Sequence, residues 1–449
     1  MQRERLGGRL GFILLSAGCA IGMGNVWKFP YIAGQNGGGA FVLIYLFFLL
    51  TIGLPVLLIE FSLGRASQKS VARMYQELEP KGTRWHLHGW LAMAGNYLLM
   101  MFYTTVTGWM LYYCGATARG RFMGLDPAGI SGEFGKLCSD PLTMALYMIA
   151  VVVLGFFICS FSLNSGLERV TKYMMLALLG IMVTLAFNSV MMRGAAEGLT
   201  FYLKPDFSKI NGGVIVGAIN QAFFTLSLGI GSMAIFGSYL DKSRSLLGES
   251  VNVIVLDTFA AIVSGLIIFP ACFTYGVSPN SGPSLIFETL PNIFNNMPLG
   301  RLWGMLFFVF MSFAALSTVL GVFENILSCC RDITGWSRRK ACLINGIALS
   351  LLSMPCVLGF NCWSRVKLAG LDIMGMEDFL VSNCLLPLGA LIFVLFATWR
   401  NGWGWKNFMT EANTGRGWKV QNWMRGYVTY ILPLIIFALL VMGIVSVFK

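Results

Sequence analysis

Charge is what this sequence has least of. Only 12% of its 449 residues are Asp, Glu, Lys or Arg, about half the share of an ordinary soluble globule. Histidine occurs twice, and no HExxH or other nucleophile–base or metal set is present, so the chain is not expected to be an enzyme. The eleven cysteines include no CxxC and no metal spacing. Most lie in apolar runs, where Cys acts as a small apolar residue. Cys138 and Cys362 fall on expected outer loops and are expected not to pair. His86 and His88 are expected as interfacial surface residues. Short alternating strands are missing too, which argues against a transmembrane barrel.

What is present is apolar length. Hydrophobic residues make up 56% of the chain, in runs of roughly 20 that suffice to cross a bilayer core of about 30 Å. Eleven spans are predicted, at 9–35, 40–64, 87–115, 142–162, 166–190, 213–240, 248–277, 297–329, 339–360, 377–399 and 427–448. The first is too long and too polar for a cleaved signal. The chain therefore reads as an all-α polytopic membrane protein, with residues 1–449 forming one transmembrane domain. The net charge of +12 invites a nucleic-acid reading, but most of the 32 basic residues fall on segments of one side, Arg3, Arg5, Arg9, Arg65, Arg338 and Arg400 among them. The positive-inside rule puts the amino terminus in the cytoplasm and the carboxyl terminus outside. Lipid, not nucleic acid, is the expected surroundings. The stretch Ser281 to Phe294 is amphipathic, too short to span, and reads as an outer lid.

Two spans are interrupted. The first contains GCAIGMGNVWKFP, Gly18 to Pro30, with three glycines, an asparagine, a lysine and a proline. The sixth contains NQAFFTLSLGIGSMAIF, Asn220 to Phe236, broken by Ser227, Gly229, Gly231 and Ser232. Spans 1 and 6 open two successive groups of five (about 9–190 and 213–399), with span 11 (427–448) left over. Because five is odd, the second group enters the membrane from the opposite side. A 5+5 inverted repeat with discontinuous helices 1 and 6 points to a midplane binding site. Freed carbonyls suit a hard cation, and half-helix N-termini suit a carboxylate.

RLGFILLSAGCAIGMGNVWKFPYIAGQNGGGAFVLIY (Arg9–Tyr45), GLPVLLIEFSLGR (Gly53–Arg65), FFTLSLGIG (Phe223–Gly231) and FAALST (Phe313–Thr318) resemble the neurotransmitter:sodium symporter family, particularly its bacterial amino-acid transporters, over residues 3–449. The resemblance implies a leucine-transporter-like fold and two sodium ions. One ion would be held by the carbonyls of Gly18, Ile21 and Ala314 and the hydroxyls of Ser317 and Thr318, an oxygen-only set. The other would be held by the Ala20 carbonyl, the Asn25 side chain, Thr225, Asp257 and the substrate carboxylate. Asp257 replaces the Asn of some members. A carboxylate in mid-membrane costs at least roughly 2.5 kcal/mol unless compensated, and it would supply the negative charge that chloride supplies in other relatives. Chloride is therefore expected not to be required.

The resemblance also implies a substrate. Gly22 leaves room for an α-carboxylate against the N–H groups of Met23 and Gly24, with the Tyr103 hydroxyl donating. The amino group would meet the carbonyls of Ala20, Phe224 and Thr225 beside Ser227, and Leu99, Phe224, Ile230, Ser317 and Val322 would line an apolar side-chain pocket. A neutral, hydrophobic amino acid is expected, imported with sodium by alternating access across a bacterial cytoplasmic membrane, by a monomer or dimer. Lys28, where the family usually has Arg, would gate the outside with Asp378; Arg3 and Asp332 would gate the inside. Glu60 would support the first half of helix 1. Leu6 stands where an aromatic is frequent, and Leu176 where some relatives have a helix-5 proline. Two alternatives stay open: proton coupling through Asp257, and a nontransporting amino-acid sensor.

Overall fold

A computed structural model describes residues 6–277 and 285–445. Among these every named element is helical, and strand pairing is limited to two isolated bridges. The spans, in chain order, are α1 (Arg9–Ala20 and Gly24–Gln35), α2 (Gly39–Ser67), α3 (Leu87–Ala118), α4 (Pro141–Ser160), α5 (Gly166–Val190), α6 (Gly212–Thr225 and Ser232–Gly237), α7 (Leu246–Thr274), α8 (Gly300–Thr334), α9 (Arg338–Gly359), α10 (Ile373–Thr398) and α11 (Met424–Val445). These are the eleven expected segments, with ends shifted by a few residues. The two halves of α1 meet at 54°.

The interior is built around α3 and α8, the most extensively packed pair among the described residues. This explains why α3 is less apolar than its neighbours. Its Asn96, Thr104, Thr105 and Thr107 are buried against other helices rather than lipid, where hydrogen-bonding partners are at hand. Lipid-facing apolar residues collect instead on α4 and α9, with Leu142, Leu146, Phe157, Leu343 and Leu351 exposed.

Both breaks have a steric reason. At Gly22 an added Cβ would lie 2.3 Å from Thr318 Oγ1 and 2.4 Å from the Tyr103 hydroxyl, so only glycine lets these groups meet there. In α6, Ser227 (φ 50°), Gly229 (φ 96°) and Gly231 (φ 73°) are left-handed, a conformation that ends a helix. α10 packs onto this break backbone to backbone: a Cβ on Gly389 would lie 1.9 Å from the Gly229 carbonyl oxygen.

Several local expectations change. α5 runs unbroken from Arg169 to Val190, with Leu176 exposed. Its first turn instead reaches toward α1: the Glu168 carboxylate accepts the Gly7 N–H at 2.9 Å. His88 is buried, not interfacial. The short helix Val71–Leu78 folds Tyr75 over it, and the Tyr75 hydroxyl lies 2.8 Å from His88 Nδ1. Of the expected lid, Ser281 to Ser284 lie outside the described residues. Phe287 is fully buried among the rings of Trp27, Trp109, Tyr113 and Phe134.

Gly389→Ala is expected to lose about 1–3 kcal/mol by overpacking at the α6–α10 crossing. Gly115→Ala, on α3 with nothing within 4 Å of the added Cβ, serves as control. Thermal unfolding midpoints in detergent compare the two, and equal midpoints would remove the proposed steric constraint.

Candidate functional site

The break in α1 faces the middle of α8. Ile21 ends the first half with ψ 88°, which turns its carbonyl out of the helix. Ser317 Oγ donates to Ala314 O at 2.9 Å and lies 3.4 Å from Ile21 O. Thr318 Oγ1 donates to Cys19 O at 3.1 Å. A buried cluster of uncharged oxygens thus forms between α1 and α8, close to the set expected from sequence, with the Cys19 carbonyl added. Thr318 Oγ1 and the Tyr103 hydroxyl both face Gly22, and the Tyr103 hydroxyl accepts the Met23 N–H at 3.0 Å.

On the other side of the break stands Asp257 of α7, fully buried. Asn25 Nδ2 donates to its Oδ1 at 2.8 Å and to its carbonyl at 3.1 Å. Thr225 Oγ1, from the last turn before the α6 break, donates at 3.1 Å, and the Tyr45 hydroxyl lies at 3.4 Å. All three partners are neutral, and no Lys or Arg among the described residues pairs with this carboxylate. Asn25 Oδ1 points back toward the break, 3.4 Å from the Gly22 nitrogen. Gln221 Nε2 satisfies the Gly24 carbonyl at 2.7 Å. Sequence reasoning missed Tyr45. Its signal was a single hydroxyl within the apolar run that follows the glycines.

Between the two breaks lies a small cavity lined by Ala20, Gly22, Gly24, Leu99, Tyr103, Phe224, Ser227, Thr318 and Leu386. Its open volume is about 10 Å³, room for one water at most. Any larger ligand therefore requires the walls to move. Ile230, Ser317 and Val322 are buried but do not line this space; Leu386, with no signal in the sequence, does. Phe224 separates this cavity from a vestibule of about 200 Å³ lined by Met23, Trp27, Lys28, Tyr31, Phe102, Val106, Met374 and Asp378. Lys28 Nζ sits 3.9 Å from the centre of the Phe224 ring and 3.6 Å from Asp378 Oδ1, and Ser382 Oγ donates to the same carboxylate oxygen at 2.7 Å. A cation so close to an aromatic face is attracted by roughly 0.5–2 kcal/mol.

Glu60 departs from its expected role. Its Oε1 accepts the Gly229 N–H at 2.6 Å, so it holds the break of α6, where a left-handed turn has freed a donor. At the far end of the bundle, Asp332 Oδ2 accepts the Ser70 N–H at 2.7 Å; Arg3 lies outside the described residues. The same end carries a buried pair, Arg65 to Glu411 at 2.6 Å. Arg65 also donates to the Arg244 carbonyl at 2.7 Å, so it ties α2 to the α6–α7 loop and to the helix Trp405–Ala412.

A profile of the sodium:neurotransmitter symporter family matches residues 3–121 and 133–449. The chain is 36% identical over 388 residues to the sodium-dependent transporter YhdH of Bacillus subtilis, covering 86% of each chain. It is 31% identical over 454 residues to a sodium-dependent transporter of Haemophilus influenzae, covering 98% of each. The crystal structure of MhsT in complex with L-phenylalanine superposes with a TM-score of 0.89 at 35% identity, covering 98% of this chain and 100% of that one. The eleven-helix architecture with breaks in the first and sixth helices is thus shared with a solved relative, and this chain belongs to the sodium:neurotransmitter symporter family.

Proposed function

We propose that this protein is a symporter that imports a neutral, hydrophobic amino acid with two sodium ions by alternating access across a bacterial cytoplasmic membrane, with the Arg65 end cytoplasmic. The observation that carries the reading is Asp257: a fully buried carboxylate beside the α1 break, whose partners are all neutral. A buried anion in hydrocarbon needs a counter-charge, and a sodium ion held also by Ala20 O, Asn25 Oδ1, Thr225 and a substrate carboxylate supplies it. A second ion belongs at Gly18, Ile21, Ala314, Ser317 and Thr318. There the hydroxyls that now donate to carbonyls would rotate their protons away and offer lone pairs.

The substrate carboxylate is assigned to Gly22, the N–H groups of Met23 and Gly24, and Tyr103, and the amino group to the carbonyls of Ala20, Phe224 and Thr225 near Ser227. Leu99, Phe224, Ile230, Ser317 and Val322 are assigned to its side chain, with Ile230, Ser317 and Val322 in contact only after the cavity expands. L-Phenylalanine in the MhsT crystal structure supports an apolar side chain. Lys28 and Asp378 form the outer gate with Phe224 beneath them; Arg3 and Asp332 form the inner one. Because Asp257 brings its own negative charge, chloride has no role.

In liposomes, an inward sodium gradient is expected to drive uptake of tritiated L-phenylalanine or L-leucine well above a potassium control. No sodium-stimulated uptake across all twenty amino acids would sink the assignment. Uptake driven by a pH gradient without sodium would replace sodium by protons.

The wild type is expected to transport equally in chloride and gluconate. Asp257→Asn should slow by about tenfold in gluconate, as one buried charge interaction is lost, and recover with chloride. A variant indifferent to chloride would contradict the role given to this carboxylate.

A further inference from the structure

The break in α6 leaves the Ile230 carbonyl without a helical partner inside the membrane, and two asparagines meet it. Asn96 Nδ2, from α3, donates to Ile230 O at 2.8 Å. Asn325 Nδ2, from α8, lies 3.4 Å from the same oxygen and donates to Asn96 Oδ1 at 3.0 Å. Ser232 Oγ, which opens the second half of α6, donates to Asn96 Oδ1 at 3.2 Å. Both asparagines are fully buried. Buried amides inside a membrane are costly unless fully bonded, and here each atom of the Asn96 amide has partners.

Their spacing is regular. Asn96 lies seven residues before Tyr103 on α3, and Asn325 seven residues after Thr318 on α8. Seven residues are two turns, about 10.5 Å, on nearly the same helix face. α3 and α8 therefore approach the breaks at two levels. Tyr103 and Thr318 face each other across Gly22 and hold the α1 break through Met23 N–H and Cys19 O. The Asn96–Asn325 bridge holds the α6 break through Ile230 O and Ser232.

We propose that Asn96 and Asn325 are positioning residues for transport: by fixing Ile230 O they set the course of residues 226–231, and so place Ser227 and, across the Gly229–Gly389 crossing, Leu386 in the wall of the central cavity. They touch neither ion nor substrate. The uptake part of this inference rests on the symporter reading; the backbone part does not.

Asn96→Leu tests it, since it keeps size but loses both the donor to Ile230 O and the acceptor that Ser232 and Asn325 use. In the purified full-length protein, amide hydrogen exchange of peptides covering 224–236 is expected to accelerate about tenfold, as the buried hydrogen bond to Ile230 O is lost, while peptides of α4 and α9 stay unchanged. In liposomes, the KM for L-phenylalanine should rise about tenfold with Vmax within about twofold. Asn325→Ser, shorter but still a donor, should show smaller shifts of the same kind, and carries the test should Asn96→Leu fail to fold. Unchanged exchange at 224–236, or acceleration spread evenly over the protein, overturns the proposal, as does a fall in Vmax alone. Wild-type protein without sodium-stimulated uptake overturns the symporter reading instead, and the exchange result then decides the positioning role by itself.

Discussion

A peptide group inside hydrocarbon must find a partner within the protein, because no water is there to take it. Two helices of this protein violate the regular ladder in mid-span, and the rest of the interior answers that violation. Side chains from four other helices are brought to the two breaks: Glu60 from α2, Asn96 and Tyr103 from α3, Asp257 from α7, and Ser317, Thr318 and Asn325 from α8, with α10 adding its backbone at Gly389. The helices that supply most of them, α3 and α8, are the most extensively packed pair among the described residues.

This arrangement separates two kinds of burial. Where a freed group meets a side-chain amide or carboxylate, as at Gly229 and Ile230, the backbone is locked. Where freed carbonyls meet only hydroxyls, as at Cys19 and Ile21, the partners can turn by rotating one bond. The first kind suits scaffold and the second suits exchangeable ligation by a hard cation. Asp257 lies between them: it is held by an amide and two hydroxyls, none of which carries a charge.

The eleven spans and both breaks were legible in the sequence because their causes are local. Apolar length reports contact with lipid, and a glycine or serine run reports a helix that stops. Asp257 was conspicuous as an acidic group in an apolar run, whereas Ser317 and Thr318 were pointed to only by the family resemblance. What could not be read is which helix faces which. Glu60 was expected to serve α1, and only packing placed it on Gly229. Asn96 and Asn325 lie 229 positions apart, so nothing in either neighbourhood names the other. His88 was misplaced because the start of a span ordinarily lies at the interface, while here a short amphipathic helix covers it.

The ring of Phe224 is shared by two spaces, the vestibule above and the cavity below, and it is also the surface on which the Lys28 ammonium rests. A wall common to both spaces cannot be moved for one alone. A larger residue at 224 would crowd the bound molecule as well as the approach to it, and a smaller one would loosen both and leave the ammonium without its seat. Retention and admission are therefore not independent quantities here, and a lineage that needs a different cargo must find its change elsewhere in the cavity wall, at Leu99 or Leu386, where only one space is touched.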